Sequence, residues 1–273
     1  VLGTRIFILT FLLSVGIGAF PQSNLRIFAE KEGDNTVLYA DNMEVCMISV
    51  YLTLSLDNLN AMDEAPDKTY LVPASTNRFR LVTLGRANRK RTRYAYNYMA
   101  VFGDVRQTGY DRNYLYDLPF ARGRQYRVEQ GYRGSFSHQG ENSLDFNMRE
   151  GTEVRAARSG RVIAVVQRFN GNCWSDACKS MANYVLVYHS DGTIADYSHL
   201  QYNGARVMIG DSVVKGQLIA ISGNTGYTRG PHLHFDCYLP GIESKRTLAT
   251  RFRTGRGTTS AFLQEGRTYR KGY

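Results

Sequence analysis

The sequence predicts an all-β protein: a small N-terminal β-sandwich, then a second small barrel or sandwich assembled from paired hairpins. Three observations carry this. Apolar and polar residues alternate with a period of two in several stretches, clusters of Gly, Asn and Asp separate those stretches, and no long helical periodicity appears. At 273 residues, with 26 glycines and 6 prolines, the chain can bury a substantial core and is long enough for two domains.

The first expected element is a leader over residues 1–22. Arg5 precedes an apolar run, 6–15, and the small residues Gly16, Gly18 and Ala19 follow. This is the layout of a secretory signal peptide, and the run is short for a membrane span. Cleavage is expected, an uncleaved anchor being the alternative, and no transmembrane segment remains once it is removed. The mature chain is then exported, to a periplasm, a cell surface or the medium.

Residues 23–122 are expected to form the sandwich. Within 36–56, Cys46, Ile48, Val50, Leu52, Leu54 and Leu56 fall on one face of a presumed strand. Further strands are expected over 79–84 and 93–101, the latter placing Tyr94, Tyr96 and Tyr98 on a shared face. That stripe suits a cross-strand packing ladder better than a carbohydrate-stacking surface. Pro119 and Gly123 interrupt the pattern and mark the boundary to a second domain, 123–273.

The second domain contains an internal echo. Gly151-Thr152-Glu153-Val154 leads through Gly160 to Arg161-Val162-Ile163-Ala164, and Gly210-Asp211-Ser212-Val213 leads through Gly216 to Gln217-Leu218-Ile219-Ala220. Each copy reads as a turn, a short strand, a glycine turn and a β-branched strand. Paired hairpins of this kind build a domain from related halves. Lys215, beside one hairpin, leaves a carrier domain of the biotinyl or lipoyl type as a rival reading.

The chemistry concentrates in Gly230-Pro231-His232-Leu233-His234-Phe235. Side chains at i and i+2 of a strand share a face, so this run presents two imidazoles together and sends Leu233 and Phe235 the other way. Neutral imidazole is a common zinc ligand, and a catalytic zinc site needs three protein ligands and an open position. The chain has five histidines. His138, His199, His232 and His234 lie in turn or strand-edge segments near glycine, whereas His189 ends an apolar strand and reads as structural. Asp145 follows His138 by seven residues across a turn, with Glu141 as the competing carboxylate.

The four cysteines fit an oxidising compartment. Cys173 and Cys178 bracket a short polar loop where a local disulfide is plausible. Cys46 and Cys237 lie in apolar sequence and read as buried thiols, although a bridge between them stays open. The formal charge is +10, and residues 241–273 hold eight Lys or Arg. For an exported chain this implies an anionic wall or membrane surface as partner rather than nucleic acid, or simply a solvated basic face.

From about Gln130 to Tyr238 the chain resembles the LytM/lysostaphin-type zinc metalloendopeptidases. The matching segments are Ser137-His138-Gln139-Gly140 with Leu144-Asp145-Phe146, then Tyr197-Ser198-His199-Leu200, then Ser222-Gly223-Asn224-Thr225-Gly226 and Gly230-Pro231-His232-Leu233-His234-Phe235. In the compact form of the family's first motif the Asp follows the His by four residues; here it follows by seven. The resemblance implies a compact antiparallel β fold and one zinc per chain, held by His138, Asp145 and His234. It makes His199 and His232 unliganded catalytic imidazoles, one moving the proton and the other bonding the tetrahedral intermediate. The implied activity is hydrolysis of amide bonds in peptidoglycan stem peptides or cross-bridges. A non-catalytic wall-binding or regulatory protein is the alternative. Tyr132 or Tyr202 is a candidate extra hydroxyl near the oxyanion, and Arg229 a candidate for a substrate carboxylate; packing or solvation is the plain alternative for each.

Overall fold

The computed structural model describes residues 24–65 and 67–273. The expected leader, 1–22, lies outside the described residues. Seven strands make up the N-terminal part: β1 Leu25–Glu32, β2 Asn35–Asn42, β3 Ile48–Asp57, β4 Leu59–Ala61, β5 Thr69–Val72, β6 Thr76–Arg86 and β7 Arg93–Phe102. They form two sheets, ordered β1-β2-β6-β4 and β5-β3-β7. Leu38, Ala40 and Val82 of the first sheet and Ile48, Val50 and Leu52 of the second meet in one apolar core. Tyr94, Tyr96 and Tyr98 pack against that core, so the tyrosine stripe is a packing surface.

The alternating stretch 36–56 is two strands rather than one. Asn42 is the cause. Its buried side-chain amide donates to the carbonyls of Cys46 (3.1 Å), Val72 (3.1 Å) and Pro73 (2.8 Å), while its oxygen accepts from the Glu44 N–H (2.9 Å). An Asx turn therefore folds the chain back and ties it to a third strand.

The remaining strands are β8 Leu115–Tyr116, β9 Gln125–Gln130, β10 Ser143–Phe146, β11 Glu153–Arg155, β12 Gly160–Val166, β13 Asn172–Cys173, β14 Tyr184–Tyr188, β15 Ile194–Ser198, β16 Leu200–Ala205, β17 Ser212–Val213, β18 Leu218–Ser222, β19 Gly226–Tyr227, β20 Leu233–Leu239, β21 Arg246–Thr247, β22 Arg251–Thr254, β23 Thr259–Phe262 and β24 Thr268–Arg270. Among the described residues a single 3₁₀ turn, Asp176–Met181, interrupts them. The main sheet runs β17-β12-β14-β15-β20-β10-β9-β24. No helix among the described residues is long and apolar enough to cross a membrane.

The echoed segments exchange strands. Short β11 of the first copy pairs with long β18 of the second, and long β12 of the first pairs with short β17 of the second, both antiparallel. Each copy thus completes the other's sheet. One face of the main sheet covers a core that includes Phe146, Tyr197, Leu233, Phe235 and Phe252. Tyr116, Leu118 and Phe120, which precede the expected boundary, also enter this core. Farther along the same sheet, Ile163, Leu186, Ile194 and Tyr238 join the N-terminal core, so the first two sheets rest on the third.

Cys173 and Cys178 form a disulfide, while Cys46 and Cys237 are separate buried thiols. The basic C-terminal segment is partly consumed inside the fold. Arg253 makes a bidentate pair with Asp117 (2.7 and 2.8 Å), and buried Lys271 donates to the Leu118 carbonyl (2.9 Å). Lys215 is likewise engaged, 3.3 Å from the Leu115 carbonyl and over the Tyr114 ring.

Candidate metal centre and active site

Strand register, not loop length, brings the site together. In the β10–β20 ladder Asp145 lies directly opposite His234, and in the β15–β20 ladder Ser198 lies opposite His234. Directly opposed residues on neighbouring antiparallel strands project on the same face about 5 Å apart. Leu233, Phe235, Leu144, Phe146 and Tyr197 alternate onto the other face and are buried in the core. The seven-residue spacing from His138 to Asp145 is thus immaterial, because Asp145 is placed by its strand and His138 by the turn before it.

His138, Asp145 and His234 offer donor atoms that all lie within 4.8 Å of one another. Asp145 Oδ1 is 3.0 Å from His234 Nδ1 and 3.3 Å from His138 Nε2. His138 Nδ1 lies 3.1 Å from the Gly131 carbonyl, an acceptor, so this nitrogen carries the proton. In that tautomer the ring turns its Nε2 toward the Asp145 carboxylate. Buried Nε2 has no hydrogen-bond partner. Two electron-rich atoms at that distance are held favourably only by a cation between them, a proton or a metal ion. A set of two imidazoles and one carboxylate is also a zinc donor set, and the residues present fit a zinc ion.

The surrounding charges agree. Burial opposes ionisation of Asp145, but its contacts with His138 and His234 outweigh this and hold the carboxyl well below the usual range. Burial pushes His234 down, yet bonds to Asp145 and Asp236 overcome it and lift the imidazole to about 10. Asp236, one strand step beyond His234, has Oδ2 3.4 Å from His234 Nε2 and 2.5 Å from Lys245 Nζ. A carboxylate on Nε2 fixes the tautomer that leaves Nδ1 free for a metal.

His199 and His232 stand beside this cluster, their ring centroids 4.5 Å apart. His199 has φ +62°, a left-handed conformation uncommon for a non-glycine residue and a mark of functional sites. Its N–H at Nδ1 donates to the Thr225 carbonyl (2.7 Å), leaving Nε2 with the lone pair. Burial, with His232 and His234 nearby, pushes its pKa down to about 3. The kink at His199 needs Gly223: any Cβ there would stand 2.5 Å from the Gln201 backbone. His232 donates from Nδ1 to the Gly230 carbonyl (2.8 Å), and its Nε2 is 3.7 Å from Asp145 Oδ1.

All five predicted site residues line one cleft of about 750 Å³. Two further candidates lie elsewhere in role: the Tyr132 hydroxyl is spent on the Thr250 carbonyl (2.8 Å), and Tyr202 is not among the lining residues. Glu141 lines the cleft but only touches Ser143 at 3.5 Å. His189 is buried, bonded to the Ser159 carbonyl (2.9 Å) and pushed down to about 4 by burial and Arg158.

Sequence reasoning missed three supporting residues. Gln130 donates to Asp145 Oδ2 (3.0 Å) and accepts from the Phe136 and Ser137 N–H groups (3.1 and 2.8 Å), joining the His138 turn to its carboxylate. Buried Thr228 uses its hydroxyl to close the turn to Gly230 (2.7 and 3.1 Å), which orients His232. Lys245 was legible only as part of a basic tail.

Residues 139–245 match the family described as Peptidase family M23, a match that begins one residue after His138. The chain is 33% identical over 118 residues to an uncharacterized metalloprotease of Haemophilus influenzae, covering 43% of this chain and 22% of that protein. It is 37% identical over 100 residues to the peptidoglycan DD-endopeptidase ShyC of Vibrio cholerae, covering 36% of this chain and 20% of that protein. The chain thus spans about a fifth of the length of these relatives. Among solved structures, lysostaphin from Staphylococcus simulans aligns with a TM-score of 0.35 and 30% identity, covering 45% of this chain and 47% of that one. Residues 139–245 of this chain carry a Peptidase family M23 domain, and the relatives of that segment include lysostaphin.

Proposed function

We propose that this chain is an exported zinc endopeptidase that hydrolyses amide bonds in peptidoglycan stem peptides or cross-bridges. The observation that carries this reading is the cleft itself, where His138, Asp145 and His234 converge within 4.8 Å beside His199 and His232. His138, Asp145 and His234 would hold one zinc ion. Bound there, zinc supplies Lewis acidity to a scissile carbonyl and lowers the pKa of water toward 7. The other steps belong to the protein. His199, its Nδ1–H held by the Thr225 carbonyl and its Nε2 free, accepts the proton from the attacking water. His232, fixed through Gly230 and Thr228, serves the developing oxyanion or the leaving amine as donor when its Nε2 carries a proton. Residues 23–122 act as a positioning or partner-binding module and 123–273 as the peptidase module. The exposed remainder of the basic segment favours an anionic wall.

The test is mass spectrometry of fragments released from purified peptidoglycan by the zinc-loaded chain, with His199→Ala alongside. New peptide termini that vanish in the variant support the reading and identify the bond. Intact peptidoglycan with zinc-loaded protein would overturn it.

A further inference from the structure

Hydrolysis leaves one feature of the cleft unused. Phe136, Trp174 and Tyr227, from three separate segments, stack into one column: Trp174 lies 4.2 Å from Tyr227 with planes 17° apart, and 5.1 Å from Phe136 with planes 10° apart. Arg229 lies over this column, its Cζ 4.0 Å from the Trp174 centroid and 4.7 Å from that of Phe136. All four residues line the cleft that holds the imidazoles. Phe136 and Trp174 remain 54% and 41% exposed, so the column is not core packing.

The column is rigid. Trp174 sits inside the Cys173–Cys178 disulfide loop, and Cys173 pairs with Tyr227 in a parallel ladder. Arg229 lies between Thr228 and Gly230, whose mutual hydrogen bonds close the turn, and Gly230 also accepts from His232. The Arg229 backbone is therefore held at a fixed remove from a candidate catalytic imidazole. Its guanidinium makes no hydrogen bond and no ion pair among the described residues, so its N–H donors are unspent.

A stacked guanidinium with free donors is pre-organised for a planar, two-oxygen acceptor. A phosphate dianion calls for a second cation, but Lys179, the other cation near the column, is paired with Asp176 (3.0 Å). A single carboxylate flanked by apolar faces fits better. Resting on the hydrolase reading above, we propose that Arg229 determines specificity by receiving a free carboxylate of the peptide substrate close to the scissile amide.

The test compares a cross-linked muropeptide bearing free carboxylates with the same compound converted to carboxamides, using the zinc-loaded full chain. The wild type should favour the carboxylate form by about 10- to 100-fold in kcat/KM, mostly through KM. In Arg229→Gln that ratio should fall to near one, and Arg229→Lys, which keeps charge without the fork, should fall between. Trp174 is the chain's one tryptophan, so its fluorescence reports binding independently of turnover. In His199→Ala, the carboxylate compound should change that fluorescence saturably and the carboxamide should do so far more weakly. Equal handling of both compounds by the wild type would overturn the proposal, as would an unchanged ratio in Arg229→Gln. Saturable carboxylate-selective binding without cleavage would keep the Arg229 site and reject the hydrolase reading instead.

Discussion

Lys245 Nζ lies 2.5 Å from Asp236 Oδ2, and that same oxygen is 3.4 Å from His234 Nε2. A cation from the turn before β21 thus reaches the imidazole of the candidate metal cluster through one buried carboxylate. Asp236 and Asp196 face each other in the β15–β20 register, and Lys245 is also 3.9 Å from Asp196. Burial pushes Asp236 up, but Lys245 and His234 overcome this and bring it to about 2. Without the lysine, the buried Asp236 carboxylate and the half-buried Asp196 carboxylate would confront each other. Lys245→Met should weaken zinc binding by about 10- to 100-fold, and Lys245→Arg should restore most of it. Chelator competition measures both. Wild-type affinity in Lys245→Met would show that the contact is only structural.

Gly223 tests the kink at His199. Its N–H donates to the His199 carbonyl (3.0 Å), and a Cβ would sit 2.5 Å from the Gln201 backbone. Gly223→Ala should destabilise the fold by about 1–3 kcal/mol and lower kcat by displacing the imidazole. His199→Ala should lose roughly 10²- to 10⁴-fold in kcat with little change in stability. Thermal unfolding and steady-state rates separate the two variants. Full activity in Gly223→Ala would contradict the packing argument.

His189 predicts an acid limit to stability. Its folded pKa is pushed down to about 4 by burial and Arg158, against about 6.5 in an unfolded chain. The unfolded state therefore binds more protons between those values. The stabilisation is complete above pH 6.5 and is lost as pH falls toward 4, with roughly 2 kcal/mol gone by pH 5. Urea unfolding at pH 7.5 and pH 5 measures the difference, and His189→Gln should shrink it. An equal pH dependence in the variant would assign the loss to other groups.

Asn42 anchors the N-terminal turn through four hydrogen bonds from a fully buried side chain. Asn42→Ala removes a partner from the Cys46, Val72 and Pro73 carbonyls and from the Glu44 N–H, a cost of about 2–4 kcal/mol. Zinc affinity should be unaffected, since the turn belongs to the first two sheets. Paired denaturation and zinc titration check this.

Much of the site was legible because strands have a period of two. His232 and His234 share a face whatever lies around them, and the alternating Leu233 and Phe235 declare which face is core. The echoed glycine turns were equally visible, but not the exchange in which β11 joins β18 and β12 joins β17. That pairing is a relation between distant segments. The same holds for Gln130, Thr228 and Lys245: ordinary polar residues locally, they gain a role only through cross-strand register and turn closure. The stretch 36–56 shows the opposite failure. Its alternation is real, but Asn42 bonds to Val72 and Pro73, thirty residues away, and breaks it in two.

The most direct measurement is zinc content after dialysis in the wild type and five alanine variants. The account predicts one zinc per chain in the wild type, His199→Ala and His232→Ala, and substoichiometric zinc in His138→Ala, Asp145→Ala and His234→Ala. Full zinc in any of the last three, or its loss in His199→Ala, would contradict the division between metal-holding and proton-moving residues.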